Sequence, residues 1–269
     1  MPRTPKYMVG FTLIEAIMVM VITGILAAVV ASFASPLQGY FAATARADLV
    51  DAADTPLRRM GRELHAALPN SVRVSGNYIE FLPTTMGGRY RKEQDCTAVC
   101  TGDALSFTAA DTSFDVIGSL PRAPVIGEEV VIYNTSSFYV YASNNVAAIA
   151  ADSTTGNIVF ASKQFPLESP GKRFQIIGKP VTYACSGTTL WRYRGYSRQA
   201  SQPTSIATLD GLAGVVKARL ATGVNCTASS FSYMPGATQR ADLVTMSLTL
   251  SNSSDSVTLL HQVHVQNVP

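Results

Sequence analysis

The chain has 269 residues, of which 47% are hydrophobic and 14% are charged. This composition excludes a disordered polar chain and is weakly charged for a cytosolic enzyme. The formal net charge is +3, and loss of residues 1–10 would remove Arg3 and Lys6, leaving 19 basic residues against 18 acidic ones. A protein so close to neutrality gives no electrostatic argument for nucleic acid as a partner.

A short basic leader precedes a long apolar stretch. Residues 1–10 carry two basic residues and no acid, and residues 11–35 contain a single charge, Glu15. As a helix, these 25 residues would be about 37 Å long, enough to cross a bilayer core of roughly 30 Å. Positive charge on the leader side predicts a cytoplasmic N-terminus and an exported remainder.

Glu15 is the most informative residue of the apolar stretch. A carboxylate in a membrane helix costs roughly 3 kcal/mol and requires a partner. The helix dipole offsets part of this cost near the helix N-terminus. A free α-amino group at Phe11 of a neighbouring subunit would offset more, and this arrangement requires a cut between Gly10 and Phe11.

The segment Gly10-Phe11-Thr12-Leu13-Ile14-Glu15 resembles the class III signal of type IV pilins and pseudopilins. The resemblance implies that a prepilin peptidase cleaves after Gly10 and that the new N-terminus, Phe11, is methylated. It also implies that Glu15 aligns subunits during filament assembly.

Two other interpretations of the N-terminus remain open. A secretory signal peptide could be cut after Ser32-Phe33-Ala34, but its apolar stretch would be shorter and would lack a carboxylate near its start. A plain membrane anchor leaves Glu15 without a partner.

Residues 36–68 are predicted to continue the helix as an amphipathic segment. Apolar residues recur at steps of three or four, with one longer gap, from Ala47 to Leu68, and charged residues fill much of the other surface. Pro36 and Gly39 predict a local kink, and Pro56 predicts a second kink or a break. Leu68-Pro69-Asn70 predicts the end of the helix.

Residues 69–269 are predicted to form an exported head of short, mainly antiparallel strands. Turn residues separate most of the candidate strands, and the alternation of apolar and polar residues is clearest at the C-terminal end. Two hairpins are predicted, around Ser75-Gly76-Asn77 and around residues 251–256, and residues 84–101 and 111–126 are predicted as loops. The candidate strands are Ser71–Val74, Tyr78–Leu82, Ala104–Phe107, Glu129–Tyr133, Phe138–Ala142, Asn157–Phe160, Arg173–Ile177, Val181–Cys185, Thr189–Arg194, Leu243–Leu250 and Val257–Val265.

Four cysteines in an exported chain predict disulfides, with three connectivities open. We favour Cys96 with Cys100 as a local clamp and Cys185 with Cys226 as a longer link. A metal site is disfavoured because no histidine is spaced as a ligand beside a cysteine. No cofactor and no catalytic residue is predicted, since phosphate-binding, metalloprotease and hydrolase motifs are not found.

One stretch, Trp191-Arg192-Tyr193-Arg194-Gly195-Tyr196-Ser197-Arg198, interleaves aromatic and basic residues. Such residues can stack on bases and bind phosphates, so Trp191, Arg192, Tyr193, Arg194 and Arg198 form a candidate binding patch. Strand alternation instead predicts the aromatic residues on one face and the arginines on the other, the ordinary pattern of a half-buried strand.

Softer similarities extend over most of the chain. Leu68 to Arg73, Pro180 to Tyr183, Leu190 to Tyr193 and His264 to Pro269 resemble the biogenesis minor pilins of mannose-sensitive haemagglutinin (MSHA) pilus systems, the MshO-like proteins. The same features resemble the larger minor pseudopilins of type II secretion. Membership of either group implies a place near the filament tip and a role in priming assembly.

The sequence therefore predicts an α+β protein in which a long N-terminal helix carries a β-rich head, a pilin-like lollipop. Before assembly it would be a single-pass inner-membrane protein with a periplasmic head, and afterwards part of a cell-surface or periplasmic filament. The expected partners are prepilin peptidase, other major and minor pilins, the inner-membrane assembly platform and the lipid bilayer. A tip adhesin or DNA-uptake pilin and a secreted enzyme are the alternatives from other functional classes.

Overall fold

The computed structural model describes residues 10–96, 99–234, 241–253 and 255–268, and the side chains of residues 33–39, 41, 42 and 241 lie outside that description. The predicted leader, residues 1–10, lies outside the described residues apart from Gly10. The chain divides into two compact units, residues 1–48 and residues 49–269, and the second is called the C-terminal unit below.

The described residues form helices and strands in the following order. They are α1 Leu13–His65, β1 Arg73–Ser75, β2 Tyr78–Phe81, β3 Thr84–Tyr90, β4 Asp111–Ile117, β5 Glu129–Ile132, α2 Ser137–Tyr141, β6 Val146–Ala148, β7 Asn157–Lys163, β8 Arg173–Ile177, β9 Val181–Ser186, β10 Thr189–Arg194, α3 Ile206–Asp210, β11 Val216–Thr222, β12 Ser230–Met234, β13 Ala241–Ser251 and β14 Ser256–Gln266.

The strands form three antiparallel sheets. One has five strands in the order β1-β2-β9-β10-β11, the second has six in the order β6-β5-β8-β3-β4-β7, and the third has three in the order β12-β13-β14. The predicted fold class, α+β with an apolar N-terminal helix and mainly antiparallel sheets, agrees with this architecture.

The core of the C-terminal unit lies where the second part of α1 packs on two of these sheets. Leu57, Met60 and Leu64 are at most 2% exposed, and they belong to one apolar cluster with Phe81 of β2 and Met246 of β13. Their spacing of three and four residues gives the helix the single apolar stripe that such packing requires.

The six-stranded sheet has a separate core made largely of aromatic side chains. The rings of Phe114 and Phe174 meet edge to face with centroids 5.1 Å apart, and Phe160 lies 5.8 Å from Phe114. This sheet is therefore stabilised by its own apolar cluster.

Helix α1 is continuous through Pro56, so the predicted break there is wrong. Ala53 and Leu57, on either side of the proline, are buried in the same core, and this packing holds both flanks although proline removes one helical hydrogen bond. The helix ends at His65, three residues earlier than predicted, because Ala67 pairs with Pro83 in an isolated β-bridge.

Most of the strand predictions are confirmed. Five internal strands, β5, β7, β8, β9 and β10, begin at the predicted residues and end within a few residues of the predicted positions. In the first hairpin Ser75 pairs with Tyr78 around Gly76, whose φ of 54° suits a glycine. In the C-terminal hairpin, β13 and β14 pair along eleven residues each.

Two predicted strands are wrong. Residues 138–142 contribute to the short helix α2, in which the neighbouring residues Val140 and Tyr141 are both buried, a pattern that strand alternation does not allow. Residues 104–107 form an irregular segment, in which the Ser106 amide donates to the Asp111 carboxylate at 2.7 Å.

Both predicted loops contain a strand, β3 and β4. Gly88 of β3 leaves space for a neighbouring ring, since a Cβ there would lie 3.0 Å from the ring of Phe174. Strand β4 pairs with β3 and β7. Strands β6, β11 and β12 and helix α3 had no predicted counterpart.

Candidate functional site

The N-terminal part of α1 exposes a long apolar surface that contains one charged residue, Glu15. Residues Leu13–Ser32 are long and apolar enough to cross a membrane, and none of them is buried. Leu13 and Met20 are 81% and 74% exposed. Exposed apolar surface on this scale marks contact with lipid or with other protein, and a signal sequence near the N-terminus would share these properties.

Thr12 caps the first turn of α1. Helical hydrogen bonding begins at Thr12, whose carbonyl accepts from the Ala16 amide at 3.2 Å. The Thr12 hydroxyl oxygen lies 3.4 Å from the Glu15 amide and 3.5 Å from Glu15 Oε2. Thr12 and Glu15 thus stand at the N-cap and N3 positions of a capping box, with contacts at the long end of hydrogen-bond range.

The Glu15 carboxylate keeps most of its capacity to accept hydrogen bonds. It is exposed in the first turn of α1, and a carboxylate has about four lone-pair sites, of which the Thr12 hydroxyl uses one. The positive end of the helix dipole favours a negative charge at this position. The arrangement suits an ion pair with an external cationic group.

Gly10 and Phe11 precede the helix in irregular backbone. Both are exposed, and a Cβ added at Gly10 would meet no atom within 4 Å. An exposed, non-helical peptide bond is the type of site that proteases cut most readily.

The four cysteines form two disulfides in the pairing favoured from the sequence. Cys96 bonds to Cys100 in an exposed loop, and Cys185 of β9 bonds to Cys226, with both of the latter in the core. The second bond joins the five-stranded sheet to the segment that leads into the three-stranded sheet.

Two of the three arginines of the candidate binding patch, Arg192 and Arg198, form ion pairs inside the C-terminal unit. Arg192 Nη2 lies 2.9 Å from Glu63 of α1, and Arg198 Nη2 lies 2.7 Å from Glu129 of β5. Their side chains are 12% and 8% exposed. Both guanidinium groups therefore join elements of the fold instead of facing solvent.

The remaining members of the patch point in different directions. Tyr193 is fully buried, Trp191 is half-buried with the Lys217 ammonium 4.4 Å from its ring centre, and Arg194 is exposed. The five residues do not form one exposed basic and aromatic face, which base stacking would require.

Glu80, a residue for which the sequence predicted no role, is buried inside the fold. Arg73 Nε donates to Glu80 Oε2 at 2.7 Å, and the Tyr196 hydroxyl donates to Oε1 at 2.9 Å. Burial raises the pKa of the Glu80 carboxyl, although the Arg73 guanidinium opposes the shift. Glu80 is 0% exposed and both of its oxygens accept hydrogen bonds, so the carboxylate links β2 to β1 and to the segment after β10.

A second polar network joins two of the segments that carry the softer resemblance. The Asn70 amide donates to Asn267 Oδ1 at 3.1 Å, and Asn70 Nδ2 donates to the Asn134 carbonyl at 2.8 Å. Asn134 Nδ2 in turn donates to the Pro69 carbonyl at 2.7 Å. The residues that follow α1, the segment just after β5 and the C-terminal segment are thus linked, although 197 positions separate Asn70 from Asn267.

Comparison with protein-family models, with curated proteins and with solved structures gave no match.

Proposed function

We propose that this protein is a type IV pilin-like subunit, a minor pilin or pseudopilin that enters a filament and helps to prime its assembly. One observation carries the proposal. The segment Gly10-Phe11-Thr12-Leu13-Ile14-Glu15 immediately precedes an exposed apolar helix, with Glu15 in the first turn. The pilin-like lollipop, a helix that carries the β-rich head, is part of the proposal.

The proposed mechanism uses the apolar surface twice. Before assembly, residues 13–32 lie in the inner membrane, which covers the exposed side chains, and the head is periplasmic. During assembly the helix leaves the bilayer and packs against the helices of other subunits, which replace the lipid as the apolar environment.

Glu15 gives the assembly its register. Cleavage after Gly10 creates an α-amino group at Phe11, and in the filament the Glu15 carboxylate of one subunit pairs with this group on the next. A carboxylate costs roughly 3 kcal/mol in an apolar surrounding, so subunits that leave it unpaired are strongly disfavoured. The charge pair therefore selects one axial position among many that apolar packing alone would allow.

Within this class, the resemblance to the MshO-like minor pilins favours a place near the tip of an MSHA-like pilus. A minor pseudopilin of a type II secretion system is the second candidate, since the same segments support both. The size of the chain, 269 residues, argues against a major subunit, because major pilins tend to be smaller.

The first test is the mature N-terminus, measured by mass spectrometry on protein extracted from membranes of the native host. We expect a chain that begins at methylated Phe11. A chain that begins near Ser35 would contradict the proposal, because the apolar segment would then be a removable signal peptide.

The second test is the substitution Glu15→Gln, which keeps the size of the side chain and removes its charge. We expect normal processing at Gly10 but loss of the subunit from sheared filaments, quantified by immunoblotting. The matched control is Thr23→Ala in the same segment, because the Thr23 hydroxyl already bonds to the Val19 carbonyl of its own helix at 2.6 Å. Equal incorporation of Glu15→Gln and Thr23→Ala would refute the charge-pairing mechanism.

A further inference from the structure

A groove lies between α1 and β14 within the C-terminal unit. It has a volume of about 560 Å³ and is lined by Arg58, Gly61, Arg62, His65 and His261. The helix can lie this close to the strand because Gly61 has no side chain, since a Cβ there would lie 2.8 Å from His261 Nε2. His261 belongs to β14, an edge strand of the three-stranded sheet.

The wall of the groove formed by α1 is basic. Arg58, Arg62 and His65 are four and three residues apart, so they lie on one face of the helix, and all three are exposed. Arg58 pairs with Asp54, whereas no acidic partner of Arg62 is found in the part of the chain that the structure describes. An anionic group in the groove would therefore meet at least one guanidinium group that has no acidic partner.

The outer edge of β14 is open. This strand of eleven residues pairs only with β13 among the described strands, and it contains no Lys, Arg, Asp, Glu or Pro. The edge strand β11 of the five-stranded sheet, by contrast, carries Lys217 and Arg219. Charges and prolines are the usual means by which proteins prevent pairing at a sheet edge, and β14 has none of them.

We propose that the outer edge of β14 accepts an extended segment of a partner protein as a fourth strand, and that this segment carries acidic side chains. Main-chain hydrogen bonds to β14 would provide affinity, and alternate side chains on the α1 side would enter the groove beside Arg62. This inference does not depend on the filament proposal.

The charge of the groove argues against a second copy of this chain as the occupant. In a symmetric pairing of two β14 strands, the basic walls of both copies would approach each other, and like charges in an interface are unfavourable. An extended segment with acidic side chains would pair with the backbone of β14 and would also attract the guanidinium groups of α1.

The test uses the full chain in detergent micelles and a fluorescein-labelled peptide of ten residues with alternating Glu and Val. Fluorescence anisotropy is expected to show binding that weakens by about tenfold or more in Arg62→Glu, because an attractive pair becomes a repulsive one. The matched control Arg219→Glu makes the same change of charge on exposed β11 and is expected to bind as the wild type does. The fluorescence of Trp191 during denaturation checks that both variants are folded.

Two further peptides separate backbone pairing from simple charge attraction. A peptide with alternating Lys and Val is expected to bind at least about tenfold more weakly. A Glu–Val peptide methylated at alternate backbone nitrogens is expected to lose binding, because strand addition requires those donors.

Three outcomes would overturn the proposal. They are absence of binding by the acidic peptide, equal binding by Arg62→Glu and wild type, and full binding by the N-methylated peptide. Light scattering that shows a dimer which the acidic peptide does not dissociate would assign the edge to a second copy instead.

Discussion

The two ends of α1 both contain apolar residues, but these residues are exposed at one end and buried at the other. In Leu13–Ser32 no residue is buried, whereas Leu57, Met60 and Leu64 near the other end are at most 2% exposed. The difference lies in how the apolar residues are distributed around the helix axis. In the first segment they lie on all sides of the helix, so packing on one side cannot cover them. In the second segment they form a single stripe, which a sheet surface can bury.

This contrast indicates which part of the molecule buries its own apolar side chains. The C-terminal unit has its own cores, ion pairs and disulfides, so its stability is expected to be independent of the first segment. The apolar side chains of the first segment are not covered by any part of the chain that the structure describes. The following changes test this separation.

The largest effect is expected from Leu64→Ala, which should lower the free energy of unfolding of the C-terminal unit by about 2–5 kcal/mol through loss of buried contacts. The matched change Leu26→Ala, at a residue that is 57% exposed, should change it by less than about 0.5 kcal/mol. Urea denaturation followed by fluorescence of Trp191, the single tryptophan, gives both values in micelles. A comparable loss in Leu26→Ala would show that the two ends are coupled.

The two disulfides are expected to differ in the same measurement. Cys185 and Cys226 are 41 positions apart, whereas Cys96 and Cys100 are 4 apart. Because a cross-link restricts the unfolded chain more when its loop is longer, replacing the first pair by serine should cost about 4 kcal/mol and the second about 2 kcal/mol. Circular dichroism in micelles should show that the apolar segment remains helical after either replacement. Loss of this helicity would contradict the independence of the apolar segment and the C-terminal unit.

The smallest effect, about 1–3 kcal/mol, is expected from Glu63→Gln, which weakens the link between α1 and β10. Burial of the Glu63 carboxyl raises its pKa, but the Tyr183 hydroxyl and the guanidinium groups of Arg192 and Arg59 lower it more, so the net shift is downward. A lowered pKa in the folded state stabilises the fold above the unfolded value of 4.5, and this contribution is lost as the pH falls through the folded value.

The difference in stability between wild type and Glu63→Gln should therefore be largest near neutral pH and should shrink as the pH falls below 4.5. Urea midpoints measured across this range provide the check, with Glu93→Gln on the exposed loop as the control. A difference that does not vary with pH would show that Glu63 acts by packing and not by charge.

Much of the architecture could be predicted because the order of apolar and polar residues along the chain indicates the helices and strands. The strand Thr189–Arg194 and the C-terminal hairpin have alternation that matches their observed pairing. The strand β3 could not be predicted, since Gly87 and Gly88 have low strand propensity and are favoured only by the close approach of Phe174 from a strand far along the chain. Helix α2 was missed because a short apolar run does not distinguish helix from strand.

The sequence by itself determined the features that depend on near neighbours along the chain, namely the apolar segment and the position of Glu15 near its start. It favoured the observed disulfide pairs but left three connectivities open, because Cys185 and Cys226 are 41 positions apart. Only the tertiary structure decided the features that depend on distant residues. It placed Arg192 against Glu63 and Arg198 against Glu129, joined Asn70 to Asn267, and left the edge of β14 open beside Arg62. The reason is that a pattern along the chain specifies which face of an element is apolar, whereas the partner of a charged group is set by how the elements pack.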